Sequence, residues 1–320
     1  MTIFRNSIEW MLTGLGKKAE SVQYINVRPL EEDIMTTNIA FIKRHPLLTY
    51  YALTFAISWG GVLIVVGPGG IPGTKEQFEM LLPIAILAML AGPSVSGILL
   101  TGLIHGRAGL RDFLSRLLKW RVGVRWYAAA LLTAPLLMAA VLLALSLTSP
   151  VFLPGIFTSN DKAAHVLFGI VVGLMAGFIE ELGWTGFATP ELRRRYGVLT
   201  TGLIVGLLWA IWHLLVAFWA SGTISGDLSL TSYLLDPLLF LTVFRVLMVW
   251  VYDRTESLLI GGALMHMSLT ASARIISPLA IVGVPLLTFD LIWFAAMWVI
   301  VAAVAAANGW QLENRVSLTR

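Results

Sequence analysis

Apolar stretches of about 20 residues recur eight times along this chain, each long enough to cross a bilayer as a helix. They fall near 47–66, 80–104, 126–147, 166–189, 199–220, 234–252, 257–275 and 286–307. Backbone polar groups in hydrocarbon must be satisfied within the protein, so uninterrupted apolar runs of this length fold as helices. The expected fold is all-α: a polytopic membrane protein of about eight transmembrane helices around a midplane active-site cavity. Composition agrees, since only 12% of the 320 residues are charged and 58% are hydrophobic, against about 25% charged in a soluble domain. There is no cysteine, which excludes disulfides, thiolate metal ligands and cysteine nucleophiles.

The net charge of +4 does not mark a nucleic-acid binder, because the basic residues cluster in the short loops between apolar runs. Six Lys and Arg precede the first run, six lie in 107–125, three are Arg193, Arg194 and Arg195, one is Arg254 and two are Arg315 and Arg320. These eighteen of the 22 fall on one side of an eight-span topology, while only Lys75 and Lys162 fall in loops on the other. By the positive-inside rule both termini are cytoplasmic, and a plasma membrane is the expected location. Residues 1–44 form an N-terminal extension, 45–308 the membrane domain and 309–320 a short tail. A weak apolar stripe (Phe4, Ile8, Met11, Leu12, Leu15) suggests an interfacial helix in the extension, and Met35 is an alternative start. The loop 107–125 reads as a basic amphipathic helix, with Leu110, Phe113, Leu114, Leu117 and Leu118 on one stripe and Arg111, Arg116 and Lys119 off it, suited to anionic headgroups. Arg193 to Arg195 read as inner-side anchors. Pro83, Pro93 and Pro135 lie within spans, which requires neighbouring helices to satisfy the carbonyls they free.

Ionisable groups within spans cost roughly 2.5–3.5 kcal/mol each on insertion scales and face cavities or partners. Span four carries Glu180 and Glu181, span five His213, span six Arg245 and span seven His266. Glu181 and Thr185 are four apart and share a helix face, as do His266 and Thr270, while Glu180 lies about 100° round from Glu181. A carboxylate in low dielectric can serve as base and then acid, and histidine can polarise water or donate to an oxyanion, so the set suits hydrolysis. Glu180, His213 and His266 also match a catalytic zinc site with an open position. Two blander readings stand beside these. The glutamates could form a structural ion pair with Arg245, and Trp209, Trp212 and Trp219 read as packing residues. A proton-coupled transporter using Glu180, Glu181 and Arg245 is a further alternative, although no internal repeat is visible to support it.

These residues resemble the CPBP family, the CAAX-protease and bacteriocin-processing intramembrane proteases. The family's Glu-Glu-x-x-x-Arg motif stands here as Glu180-Glu181-Leu182-Gly183-Trp184-Thr185. Its aromatic-x-x-x-His motif matches Trp209 and His213, and its His-x-x-x-Asn motif matches His266 with Thr270 in the last place. The resemblance runs from about Pro46 to Ala271, with a protease-like core at about 166–275. It implies an intramembrane endopeptidase in which Glu180 and His213 activate water, His266 and Thr270 hold the oxyanion, and Glu181 orients the site. It implies a peptide or membrane-protein substrate within the bilayer and leaves open whether the site is metal-free or holds one zinc ion. Two departures, Thr185 for arginine and Thr270 for asparagine, keep alive a weakened or inactive relative acting in bacteriocin self-immunity or as a scaffold.

The charge bias makes a direct prediction. Reporter fusions should read cytoplasmic at Gly197 and Asn314 and external at Gly226. An external signal at Asn314 would break the eight-span topology.

Overall fold

The computed structural model describes residues 39–67, 69–223, 229–279 and 281–308. Two units divide the chain, Met1–Arg44 and His45–Arg320. Of the first, 39–44 are described and are helical; the stripe at Phe4 to Leu15, Met35 and the tail 309–320 lie outside the described residues.

Every expected span in the second unit is a helix, and no strand occurs among the described residues. In chain order the helices are α1 (Pro46–Val66), α2 (Lys75–Leu117), α3 (Val124–Ser146), the short α4 (Gly155–Thr158), α5 (Lys162–Gly183), α6 (Thr189–Arg193), α7 (Val198–Ser221), α8 (Ser229–Thr255), α9 (Met265–Ile275) and α10 (Gly283–Ala307). Eight helical stretches are long and apolar enough to cross a membrane, so the protein is multi-pass. Local signals set the ends. Pro46 opens α1, where a missing N–H costs nothing. Thr74 and Gln77 close a reciprocal capping box on α2, and Asp161 accepts from Ala164 N at 2.9 Å to cap α5.

The intrahelical prolines explain two interhelical contacts. Proline has no N–H to offer the carbonyl four residues back. Pro93 thus frees Met89 O, which accepts instead from Ser58 Oγ of α1 at 2.5 Å. Pro135 frees Leu131 O, which accepts from Ser268 Oγ of α9 at 2.9 Å. The second bond fixes the helix that carries His266.

Small residues let the helices bearing polar groups approach closely. Gly169, Gly173 and Gly177 face α9 from α5, and a Cβ at Gly173 would lie 2.7 Å from Met267 O. Gly202 and Gly206 do the same between α7 and α8, where a Cβ on Gly206 would lie 2.6 Å from Thr242 O. These two seams bring Glu181 against His266, and Trp209 against Arg245.

One expectation is corrected here. The second span and the amphipathic segment form one helix of 43 residues, bent at Gly106 with φ 63° and ψ −155°, a conformation glycine adopts without steric cost. The helix ends at Leu117 rather than near Arg125, and α3 begins at Val124. Phe113 is buried, Leu110 and Leu117 are half-buried, and Leu114 and Leu118 are exposed. Arg116 is not directed at headgroups: Nη1 donates to Gly186 O at 3.2 Å and Tyr252 Oη at 3.0 Å, and Nε to Asp112 at 2.9 Å. Lys119 pairs with Glu256 at 3.1 Å. The physical reason is the bend, after which Phe113 seats against Gly186 and draws the basic side chains onto the bundle.

Candidate active site

Two π-helical turns flank the polar residues, Trp184–Ala188 just after Glu181 and Leu258–Leu264 just before His266. Such turns insert an extra residue into a helix and recur at functional sites. Thr189 Oγ1 donates to Trp184 O at 2.8 Å, satisfying a carbonyl within the first of them.

Glu181 is fully buried and held by three different side chains. Arg245 Nη1 donates to Oε1 at 2.8 Å and Oε2 at 2.9 Å. His266 Nδ1 approaches Oε1 at 2.9 Å, and Thr185 Oγ1 donates to Oε2. Arg245 is also 0% exposed, and its Cζ lies 5.3 Å from the centroid of the Trp209 ring, a cation–π contact. The ion pair between Arg245 and the glutamates that the sequence suggested forms, and it forms with Glu181. The shared face of Glu181 and Thr185 forms as the four-residue spacing requires, so the threonine in the arginine position still serves Glu181 as a neutral donor.

Glu180, 3% exposed, faces elsewhere. Its Oε2 accepts from Trp209 Nε1 at 2.8 Å, and no donor meets its other oxygen among the described residues. Trp209 joins the set together: its ring lies 4.8 Å from that of His266 and 5.9 Å from that of His213, centroid to centroid. His213 Nδ1 meets Trp209 O at 2.9 Å. A carbonyl or a carboxylate accepts, so each histidine donates through Nδ1. Neutral His213 therefore carries its lone pair on Nε2, where it can take a proton from water. Nε2 of neutral His266 is likewise an acceptor and is a donor only in the imidazolium form.

Several sequence readings need adjustment. Trp209 is a hydrogen-bond donor to the site rather than packing alone, whereas Trp212 and Trp219 are buried packing residues. Arg193 is no headgroup anchor: it is buried, with Nη2 2.6 Å and Nε 2.8 Å from Asp253 Oδ1. Arg194 pairs with Glu191, and Arg195 is exposed. Thr270 is half-buried, one turn after His266 on α9. Glu180, His213 and His266 do not form a preorganised metal set, because no group of three His, Asp or Glu among the described residues is arranged to hold a metal ion. Glu180 turns to Trp209 and His266 to Glu181. The sequence reading also passed over Asp236 and Asp290, whose carboxyl groups meet between α8 and α10. An acidic residue inside each of two apolar runs was the available signal.

The fold and site define a multi-pass membrane protein with a buried glutamate–histidine centre. Residues 162–272 match the family model described as "Type II CAAX prenyl endopeptidase Rce1-like", a segment that contains Glu180, Glu181, His213, Arg245, His266 and Thr270. The chain is also similar to the "CAAX prenyl protease 2" of Methanococcus maripaludis, 24% identical over 188 residues. That match covers 56% of this chain and 65% of the relative. Both findings support the resemblance to the CPBP, or CAAX-protease, family that the three motifs carry.

If Arg245 supplies the charge missing at Thr185, Arg245→Leu should cripple folding or activity, and adding Thr185→Arg in that background should restore part of it. Breaking a buried pair from one side costs about 3–5 kcal/mol, which an unfolding titration in detergent resolves. A silent Arg245→Leu would refute the substitution.

Proposed function

We propose that this protein is an intramembrane endopeptidase that hydrolyses a peptide bond with Glu180 as general base and then general acid. The observation that carries the reading is the unequal treatment of two adjacent glutamates. Glu181 is saturated by Arg245, His266 and Thr185, while Glu180 has one donor, Trp209, whose backbone carbonyl holds His213, and a second oxygen that meets no donor among the described residues. Fixing one carboxylate as a counter-charge and leaving its neighbour to exchange a proton is how a pair of acids divides two roles.

In the proposed reaction a water donates one proton to Glu180 while hydrogen-bonding His213 Nε2, and its oxygen attacks the peptide carbonyl carbon. The carbonyl π pair moves to oxygen, where His266, charged and held by Glu181, donates together with the Thr270 hydroxyl. The oxyanion collapses, the C–N bond breaks, and Glu180 returns its proton to the departing amine. Threonine reaches less far than asparagine, and losing an oxyanion donor typically costs about 10²–10³ in rate. A slow enzyme is therefore expected.

The substrate in this reading is a peptide or a membrane-protein segment entering the midplane site. The relative's name makes a prenylated C-terminal peptide one probe to include beside unmodified ones. The chain would lie in the cell membrane with both termini cytoplasmic, as the distribution of Lys and Arg favours. The rival reading, an inactive relative serving immunity or scaffolding, draws on Thr270 standing in the asparagine position.

Glu180→Gln separates the two. Glutamine can still accept from Trp209 Nε1 but cannot take a proton, so cleavage in reconstituted membranes should vanish while thermal stability holds. A biological function unaffected by Glu180→Gln would favour the rival.

A further inference from the structure

Behind the Glu181–Arg245 pair lies a set of buried polar atoms that the proposed reaction does not use. Arg245 spends only Nη1 on Glu181; its Nε and Nη2 have no hydrogen-bond partner at 0% exposure. Trp184 Nε1, on the π-helical turn, is likewise an unpartnered donor. Facing these from α1 and α2 are hydroxyls that also lack direct partners by geometry: Tyr50, Tyr51, Thr54 and Ser96. The groups occupy one seam. The Tyr50 ring lies 5.1 Å from that of Tyr51 and 5.8 Å from that of Trp184, and the Tyr51 ring lies 6.1 Å from that of Trp184. A Cβ on Gly183, two residues after Glu181, would lie 2.5 Å from the Tyr50 hydroxyl. Ser96 adjoins Gly97, which packs on Leu182 O and Gly183.

Buried donors and acceptors are nearly always satisfied, by protein or by ordered water. Here three donor atoms and four hydroxyls share a seam, and only Tyr50 and Thr54 lie near enough to interact directly. What joins them must be small, and must both donate and accept. An anion fails on charge: Glu181 already balances Arg245, so an added negative charge would sit uncompensated beside Glu180. We infer that Tyr50, Tyr51, Thr54, Ser96, Trp184 and Arg245 hold a cluster of water molecules behind the carboxylate pair, from which the hydrolytic water reaches Glu180. This inference rests on the hydrolase reading only for its last clause. The hydroxyls are positioning residues for water and touch no substrate.

Radiolytic hydroxyl labelling of the full chain in lipid nanodiscs, read residue by residue by mass spectrometry, tests it. Trp293 is the dry control, fully buried with Nε1 donating to Phe240 O at 3.2 Å, and Trp120, 58% exposed, is the wet one. Tyr50, Tyr51 and Trp184 should label far faster than Trp293 and approach Trp120, in the Glu180→Gln chain as in the wild type. In Tyr51→Phe combined with Ser96→Ala, labelling of Trp184 should fall towards the dry control, and kcat should drop with KM unchanged. Labelling of all three residues at the rate of Trp293 would overturn the water cluster whatever the activity. Unchanged labelling of Trp184 in the double variant would overturn the role of these hydroxyls. Rapid labelling in a wild-type chain that cleaves no peptide would support the cluster and sink the hydrolase reading alone.

Discussion

The buried pair of Arg245 with Glu181 is the constraint around which the other polar groups are arranged. Either charge alone in the membrane interior is costly, and the two offset each other only with good geometry and additional hydrogen bonds. Both are supplied. One guanidinium nitrogen sits within 2.9 Å of both carboxylate oxygens, and His266 and Thr185 satisfy the remaining acceptor sites. Once Glu181 is fixed as an anion, its bond to His266 follows, and with it the tautomer and the donor capacity of that ring. The face of Arg245 away from Glu181 packs on Trp209, whose indole N–H steers Glu180. A single ion pair thereby orients two of the groups assigned to chemistry, His266 directly and Glu180 through Trp209.

The scaffold supports that pair by bringing backbones close. The glycine seam of α5 on α9 sets Glu181 against His266, and the seam of α7 on α8 sets Trp209 against Arg245. The serine that bonds the carbonyl freed by Pro135 sits two residues after His266, so a backbone defect in α3 becomes an anchor for the helix that carries His266. In hydrocarbon, where apolar surface gives helices little reason to associate, close packing and such hydrogen bonds are what hold them together.

Much of this was legible in the sequence. Eight apolar runs gave eight spans because length and hydropathy alone decide a helix in lipid, and the four-residue spacing of Glu181 and Thr185 gave a shared face. Charge inside apolar runs drew attention to Glu180, Glu181, His213, Arg245 and His266. What escaped depended on tertiary direction. Nothing in the local pattern distinguishes Arg193, buried on Asp253, from its exposed neighbour Arg195. Trp209 looks like any packing tryptophan until its N–H is seen on Glu180. The bend at Gly106 was hidden because a glycine with positive φ reads like any other glycine, and that bend turns Arg116 from headgroups to Tyr252.

The central claim is that Arg245 and Glu181 act as one unit in place of the motif arginine. A double-mutant cycle with Arg245→Gln, Glu181→Gln and the pair together, followed by unfolding in detergent, measures it directly. Each single change should destabilise by about 3–5 kcal/mol, as expected when one partner of a buried pair is left uncompensated, and the double variant should lose far less than the sum. Additivity to within about 0.5 kcal/mol, the behaviour of independent sites, would contradict the account.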